Sequence, residues 1–209
     1  MSLFDDPVDP AFNHLPRDGI VNYYGPMVST SQADQYFDVL HQTLPWQPDQ
    51  ALIYGRLITT ARQVAWYGDL AYAYTYSGTT RHALAWTCEL LELKAMVEQL
   101  TGCSFNACLL NLYDDGDTAM AWHSDDEKAL GKNAAIASVS LGAPRKFVFK
   151  HKREPALQVP LMLAHGSLLL MHGSTQSHWL HSLPKSKKVT TPRINLTFRC
   201  MLASTAPCT

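Results

Sequence analysis

The sequence lacks a paired set of cysteines. It contains five cysteines in 209 residues, an odd number with no CxxC spacing. This pattern excludes a disulfide framework and indicates a reducing compartment. Four of the cysteines have apolar neighbours and are predicted to be small core residues: Cys88, Cys103, Cys108 and Cys200.

Long hydrophobic runs and a basic start are also missing. No stretch approaches the roughly 20 apolar residues of a membrane span. The first ten residues, MSLFDDPVDP, are acidic, whereas a signal peptide begins with basic residues. We therefore expect a soluble intracellular protein with no membrane partner, located in the cytoplasm, or in the nucleus if the source is a eukaryote.

An excess of positive charge is absent as well. The formal net charge is −1, which argues against a broad, non-specific nucleic-acid binder. The basic residues are nevertheless clustered, with five Lys or Arg in RKFVFKHKR (145–153) and three in KSKK (185–188). These clusters are either a solvated rim that keeps the protein soluble or, beside a catalytic site, contacts to phosphates.

The pattern along the chain predicts one compact domain in three parts. Residues 1–20, rich in Pro and Asp, predict an extended arm. Residues 21–104 carry a helix beginning at a capping box of Ser31 and Asp34, and a second from about Trp86 to Leu100 that Gly102 ends. Between these helices, residues 52–80 predict hairpins or a lid. We assign 21–104 to helical support and a nucleotide-recognition lid.

Short β-type runs dominate from Phe105 onward. They alternate with turn residues at the spacing of an antiparallel sandwich or barrel: FNACLLNLY, AAIASVSL, KFVFK, SLLLM and RINLTFRCML. We therefore predict an α+β fold, in which residues 105–209 form a double-stranded β-helix, or jelly roll, flanked by the N-terminal helices and a substrate-binding lid.

His123-Ser124-Asp125 is the first candidate for chemistry. Residues i and i+2 of an extended segment point to the same side, so the imidazole and the carboxylate can share one metal. The pair alone is weakly specific, and spacing does not choose its third ligand among His165, His172, His178 and His181. Two His and one carboxylate favour a non-haem Fe(II) oxygenase, although a zinc hydrolase uses similar ligands.

The run Arg193–Arg199 (RINLTFR) alternates strictly, with polar residues at the odd positions. Such alternation is typical of an ordinary half-exposed strand. The two arginines would lie about 20 Å apart on a flat strand, so they flank one pocket only if the strand coils. Paired guanidinium groups suit a metal-chelating dicarboxylate, and Asn111 and Tyr113 could add hydrogen bonds.

Four motifs follow one another along the chain: Asn111-Leu-Tyr113, His123-Ser-Asp125-Asp-Glu127, His178-Trp-Leu-His181-Ser-Leu-Pro and Arg193-Ile-Asn195-Leu-Thr-Phe-Arg199. Over about residues 50–202 the chain thereby resembles the AlkB family of Fe(II)- and 2-oxoglutarate-dependent dioxygenases, and most of all its duplex-DNA repair branch. No single motif is specific, but their order and spacing together are.

The resemblance implies a role for each of these residues. His123, Asp125 and His181 would hold Fe(II), whereas His172 and His178 match no ligand position. Arg193 with Tyr113 would bind the distal carboxylate of 2-oxoglutarate, and Arg199 the carboxylate nearest the iron. Asn111 and Asn195 would line the same pocket, and O2 would be the second co-substrate.

The resemblance also implies substrate contacts. Glu127 stands where the family has an acidic residue facing the damaged base, and Tyr74 and Tyr76 lie in a segment similar to the one that lines the base pocket. A flipped base needs such a flat partner, although these tyrosines could equally be core aromatics of a lid. Ile53-Tyr54-Gly55 resembles the apolar wedge that fills the gap left in a duplex, and Arg62 would follow onto the phosphates.

The implied function is oxidative demethylation of N1-methyladenine and N3-methylcytosine in DNA repair, by a monomer whose partner is methylated DNA. Both lesions are cations, which a carboxylate such as Glu127 would favour. Two alternatives stay open. The same fold could act on RNA or on protein side chains, or the chain could be a non-catalytic nucleic-acid binder.

Overall fold

The computed structural model describes residues 8–53, 56–70, 73–76 and 79–202, with side chains described outside 51–58 and 71–81. Three helices occupy Thr30–Thr43 (α1), Cys88–Thr101 (α2) and Thr175–His178 (α3), and Lys128–Leu130 form a 3-10 turn. The strands are Ile20–Pro26 (β1), Gln47–Ile53 (β2), Arg56–Gly68 (β3), Ala73–Tyr76 (β4), Thr79–His82 (β5), Ala107–Tyr113 (β6), Met120–His123 (β7), Ile136–Gly142 (β8), Arg145–His151 (β9), Gln158–Leu163 (β10), Ser167–His172 (β11), Trp179–Leu183 (β12) and Arg193–Arg199 (β13).

The strands form two large antiparallel sheets and a small hairpin. The major sheet has the order β1-β11-β8-β13-β6-β3-β2, the minor sheet has the order β10-β9-β12-β7, and β4 pairs with β5. This arrangement confirms the predicted α+β class with a jelly-roll core. In the part of the chain that the structure describes, no helix has the length and apolar character needed to cross a bilayer.

Two apolar clusters lie on opposite faces of the major sheet. One packs α1 and α2 against one face of the major sheet, which includes the even-numbered residues of β6 and β13, such as Leu110 and Leu196. The other fills the space between the two sheets, where Leu109 and Met171 of the major sheet pack with Phe149 and Trp179 of the minor sheet. Because side chains alternate along a strand, the odd-numbered residues of β6 and β13 face the minor sheet.

Both predicted helices exist, and the start of the first differs from the prediction. Ser29 is the N-cap of α1, and the capping box is formed by Ser29 and Gln32 instead of Ser31 and Asp34. The reason is that Ser29 has the extended backbone that a cap requires, whereas Ser31 already lies in the first helical turn. The second helix ends as predicted, with Gly102 in the left-handed conformation.

The jelly-roll core is not confined to residues 105–209, the part of the chain predicted to form it. Strands β1, β2 and β3 precede this part and belong to the major sheet. The arm also packs against the sandwich from residue 8 on, since Leu15 is buried and Trp179 donates its indole N–H to the Arg17 carbonyl at 3.0 Å. The core prediction for Cys108 is correct, but Cys88 and Cys200 are exposed.

Gly142, where β8 ends, permits a close approach beside the site strand β13. Its φ is +85°, and a Cβ atom there would overlap the Pro192 carbonyl oxygen and lie 2.8 Å from the Phe37 ring. Gly142→Ala should therefore lower the free energy of unfolding by about 2–4 kcal/mol, from backbone strain plus overpacking. Chemical denaturation measures this loss.

Gly102→Ala is the matched control. Gly102 also has positive φ, +67°, but none of the described atoms would contact its Cβ. This variant should lose only about 1 kcal/mol, the cost of the backbone conformation. Equal losses in the two variants would contradict the close approach at Gly142.

Candidate metal centre

Strands β7 and β12 bring two histidines together in the minor sheet. His181 pairs directly with His123 across the strands, and their Nε2 atoms are 3.1 Å apart. Asp125, two residues beyond β7's last position, places Oδ2 3.8 Å from His181 Nε2. The possible ligand atoms of these three residues all lie within 4.8 Å of one another. Among the described residues, this is the one such group of His, Cys, Asp or Glu side chains that could hold a metal ion.

The other candidate histidines have different partners. His172 Nε2 lies 2.9 Å from the Asn22 side-chain oxygen. His165 Nδ1 accepts a hydrogen bond from the Gly142 amide at 2.8 Å. His178 stacks parallel to a neighbouring histidine ring at 6.4 Å. Tertiary structure therefore selects His181 from the four that sequence spacing left open.

The protonation of the two imidazoles leaves a lone pair for a metal. His123 Nδ1 lies 2.8 Å from the Ala121 carbonyl oxygen. A carbonyl can only accept, so Nδ1 carries the proton and Nε2 keeps its lone pair. Burial, together with the nearby His123, lowers the pKa of His181 to about 3, so this imidazole is neutral at physiological pH.

Asp125 is held by contacts from two directions. Its backbone N–H donates to the Gln176 side-chain oxygen at 2.9 Å, and Arg199 donates to its Oδ1 at 2.7 Å. Burial by itself would raise the pKa of Asp125, but the positive charge of Arg199, together with the nearby His181 and His123, outweighs burial and lowers this pKa. The second oxygen, Oδ2, faces the imidazoles as a charged ligand atom. Two imidazoles and one carboxylate on one face fit a non-haem Fe(II) centre.

The opposite wall of the same cavity comes from the odd-numbered residues of β6 and β13. Arg193 pairs with Tyr113 across these strands, and Asn195 pairs with Asn111. All four line the cavity with Arg199 and the metal-binding group. The alternation of β13 therefore does not reflect a half-exposed strand, because its polar face is enclosed by the minor sheet.

Arg193 is a buried cation that suits an anionic ligand. It is 2% exposed, donates to the Ser140 hydroxyl at 2.9 Å, and lies 5.4 Å from the centre of the Tyr113 ring. No carboxylate of the described residues lies within ion-pair distance of it, and its Nε has no hydrogen-bond partner among them. Burial lowers the pKa of Arg193 to about 10, so it stays charged at neutral pH. A carboxylate bound in this cavity would compensate that charge.

The two asparagines differ in what they offer to a ligand. The Asn195 amide N–H group already donates to the Ser138 hydroxyl at 2.8 Å and to the Val139 carbonyl at 3.0 Å. Asn111 also lines the cavity, and its side chain makes no hydrogen bond to the part of the chain that the structure describes. Asn111 is therefore the freer of the two to bind a ligand.

Apart from Arg62, only Glu127 among the predicted substrate contacts has a described side chain. Glu127 lines the cavity with its side chain 33% exposed, and its Oε1 is 4.0 Å from Arg199. Tyr54 and Gly55 lie outside the described residues. Ile53 lies in β2, and Tyr74 and Tyr76 lie in β4, but the side chains of these three residues are outside the described part of the structure.

The phosphate contact expected for Arg62 does not match its position. Arg62 is 6% exposed and lines the cavity beside Asp49, with which it forms an ion pair of 2.5 Å. A guanidinium buried in this way faces the site and not the molecular surface. The sequence gives no signal for this, because the direction of the Arg62 side chain depends on an irregularity in strand pairing.

The first basic cluster is also divided by the fold. Arg145 is buried and donates to the backbone carbonyls of Asp115, Thr118 and Pro184, so it stabilises a loop and is not a phosphate contact. Lys150 lies 4.1 Å above the exposed Trp122 ring. The cluster therefore combines a structural arginine with surface lysines.

Sequence reasoning missed several residues that shape the cavity. Asp49, Met120 and Phe147 line it, and Gln176 holds Asp125. The Phe147 ring lies 5.3 Å from that of His181. The alternation of KFVFK could have indicated that Phe147 faces the same side as other inward residues of its strand. Asp49 and Gln176 come from distant segments and carry no local signal.

Comparisons with known proteins agree with this geometry. Residues 19–199 match the 2OG-Fe(II) oxygenase superfamily. The chain is 38% identical over 203 residues to the human DNA oxidative demethylase ALKBH2, covering 92% of this chain and 78% of that protein. It is 38% identical over 185 residues to the human alpha-ketoglutarate-dependent dioxygenase alkB homolog 3, covering 84% and 64%. The solved structure of OsALKBH1 matches with a TM-score of 0.60 and 14% identity, over 89% of this chain and 98% of that chain, and shows the same fold.

Loss of His181 or His123 should abolish metal binding. We expect anaerobic titration of the protein with Fe(II) and 2-oxoglutarate to give a weak visible charge-transfer band, and His123→Ala and His181→Ala to remove it, because each lacks one of three ligands. His178→Ala is the control, since this ring lies outside the group, and it should keep the band. A band that persists in His181→Ala would contradict the ligand set.

Proposed function

Because this chain belongs to the AlkB family of the 2OG-Fe(II) oxygenase superfamily, we propose that it removes methyl groups oxidatively from alkylated DNA bases, N1-methyladenine and N3-methylcytosine above all. The observation that carries this proposal is one cavity that holds both a His-Asp-His group and the buried Arg193, which has no carboxylate partner among the described residues. Relatives named DNA oxidative demethylase support DNA as the substrate.

The family uses Fe(II), 2-oxoglutarate and O2. When bound, they supply the oxidation in which 2-oxoglutarate becomes succinate and CO2 while the N-methyl group is hydroxylated and lost as formaldehyde. The remaining work falls to the residues of the chain, which position the reactants and balance charge.

His123, Asp125 and His181 hold the metal in this proposal. Arg193 and Tyr113 bind the distal carboxylate of 2-oxoglutarate. The absence of a carboxylate beside Arg193 in the described region supports this role, since a planar guanidinium binds a carboxylate bidentately.

The metal-proximal end of the co-substrate belongs to Arg199. Its contact to Asp125 at 2.7 Å places it beside the metal group, where it orients this carboxylate and the near end of 2-oxoglutarate. Asn111 and Asn195 line the same cavity. Asn111 donates a hydrogen bond to the co-substrate, whereas the Asn195 amide is held by Ser138 and only shapes the cavity.

The methylated base enters on the side of Glu127. Its carboxylate favours a cationic base in a poorly solvated cavity. Stacking on Tyr76 beside Tyr74, and insertion of Ile53-Tyr54-Gly55 into a duplex, stay predictions from the resemblance. So do the monomeric state and the location in the cytoplasm or nucleus.

The central test is release of formaldehyde from DNA oligonucleotides that carry N1-methyladenine or N3-methylcytosine. Release should require Fe(II) and 2-oxoglutarate together and should disappear in His181→Ala. Parallel assays on methylated RNA and on methylated peptides separate the alternative substrates. Turnover of RNA or peptide alone would refute the DNA substrate, and no turnover of any of them would favour a non-catalytic binder.

Glu127→Gln should reduce turnover of the cationic bases about tenfold, because the substitution removes a negative charge from the cavity while keeping its shape. Decay of 2-oxoglutarate without DNA should change little, since Glu127 does not face the co-substrate in this proposal. Succinate and formaldehyde formation measure the two reactions. Asp126→Asn is the control, a neighbouring carboxylate that is 61% exposed. Equal loss of both reactions in Glu127→Gln would count against the role.

A further inference from the structure

Besides Asp125 and Glu127, a third acidic side chain, that of Asp49, lines the cavity of the metal group. Asp49 of β2 is 3% exposed, and its Oδ2 is 2.5 Å from Nη2 of Arg62 on β3. Arg62 also contacts the sulfur of Met120 at the edge of the metal-binding strand β7. Both members of the pair line the same cavity as His123 and Glu127.

An irregularity in the β2–β3 pairing creates this position. Pro48 pairs with Gln63, but Gln50 pairs with Thr59, so three residues of β3 lie opposite Asp49 alone. Such bulges occur next to active sites, where they redirect a side chain. Arg62 is one of these three residues of β3. The side chains of Asp49 and Arg62 both line the cavity.

The pair changes what charge the cavity presents to a bound base. Burial opposes the charge on Arg62, but Tyr113 and Asp49 outweigh burial and raise the pKa of Arg62, so the guanidinium is charged. An uncompensated guanidinium in this wall would repel a cationic base, and repulsion between charges is strong where water is scarce. With Asp49 beside it, the pair is neutral overall.

We propose that Asp49 is a specificity-determining residue, which neutralises Arg62 so that the cavity accepts cationic methylated bases in preference to neutral ones. This inference rests on the demethylation proposed above. Asp49 acts through Arg62 and is not one of the residues assigned above to the metal or the co-substrate, so its loss should change the choice between bases more than the oxidation itself.

The experiment compares N3-methylcytosine, a cation, with N3-methylthymine, a neutral base of similar shape, in the same oligonucleotide. In Asp49→Asn the ratio of kcat/KM for the cation over the neutral base should fall about tenfold. In the double variant Asp49→Asn/Arg62→Met the ratio should return towards that of the wild type, because both charges are gone. The double variant also keeps the test valid if the single variant does not fold, because it leaves no unpaired buried charge.

Fluorescence anisotropy of the metal-free protein with the same oligonucleotides gives a second readout that needs no turnover. The same change in the affinity ratio should be seen there. An unchanged ratio in Asp49→Asn would overturn the inference. A ratio that falls equally in the double variant would also overturn it, because Asp49 would then act directly and not through Arg62.

The two proposals fail in different ways. If the wild type demethylates neither base, the proposed function fails. If it demethylates the cationic base and the ratio does not respond to Asp49→Asn, only the inference on Asp49 fails.

Discussion

The pairing of strand β12 with strand β7 places His181 directly across from His123, with 3.1 Å between their Nε2 atoms. Asp125 lies two residues after the end of β7. Arg199 and Gln176, which lie outside the β7–β12 strand pair, hold Asp125 by hydrogen bonds. A slip of one residue in this register would turn one imidazole to the other face of the minor sheet. Every other feature of the cavity is useful only because this register is kept.

Strand β13 of the major sheet contributes side chains both to the cavity and to the hydrophobic core. The even residues of β13 pack on the helices, and its odd residues reach the cavity. A single strand therefore carries the apolar surface that stabilises the fold and the polar side chains that bind a ligand. The strict two-residue alternation keeps these two tasks apart.

Most of the buried arginines in the cavity are paired with carboxylates. Arg199 is paired with Asp125, and Arg62 with Asp49, so two of its cations are compensated by carboxylates. Arg193 has no carboxylate partner within the described ranges. Buried charges are expensive unless they are paired, and this imbalance is what suits the cavity to an anionic co-substrate. In our proposal, the neutral Asp49–Arg62 pair allows a cationic base to bind in the same cavity.

Features that depend on neighbouring residues could be predicted from the amino-acid sequence. These include the two long helices, the end of α2 at Gly102, the β-rich second half and the alternation of Arg193–Arg199, because helix and strand periods are local properties of the backbone. Residue spacing left the third metal ligand open and the motif resemblance pointed to His181, but strand pairing is what places His181 beside His123. Long-range pairing also makes β1 to β3 part of the major sheet. Only the tertiary structure decided that Arg62 and Arg145 are buried. The physical reason is that strand register and bulges are set by contacts between distant segments, and one shifted pairing redirects a side chain whatever its own sequence favours.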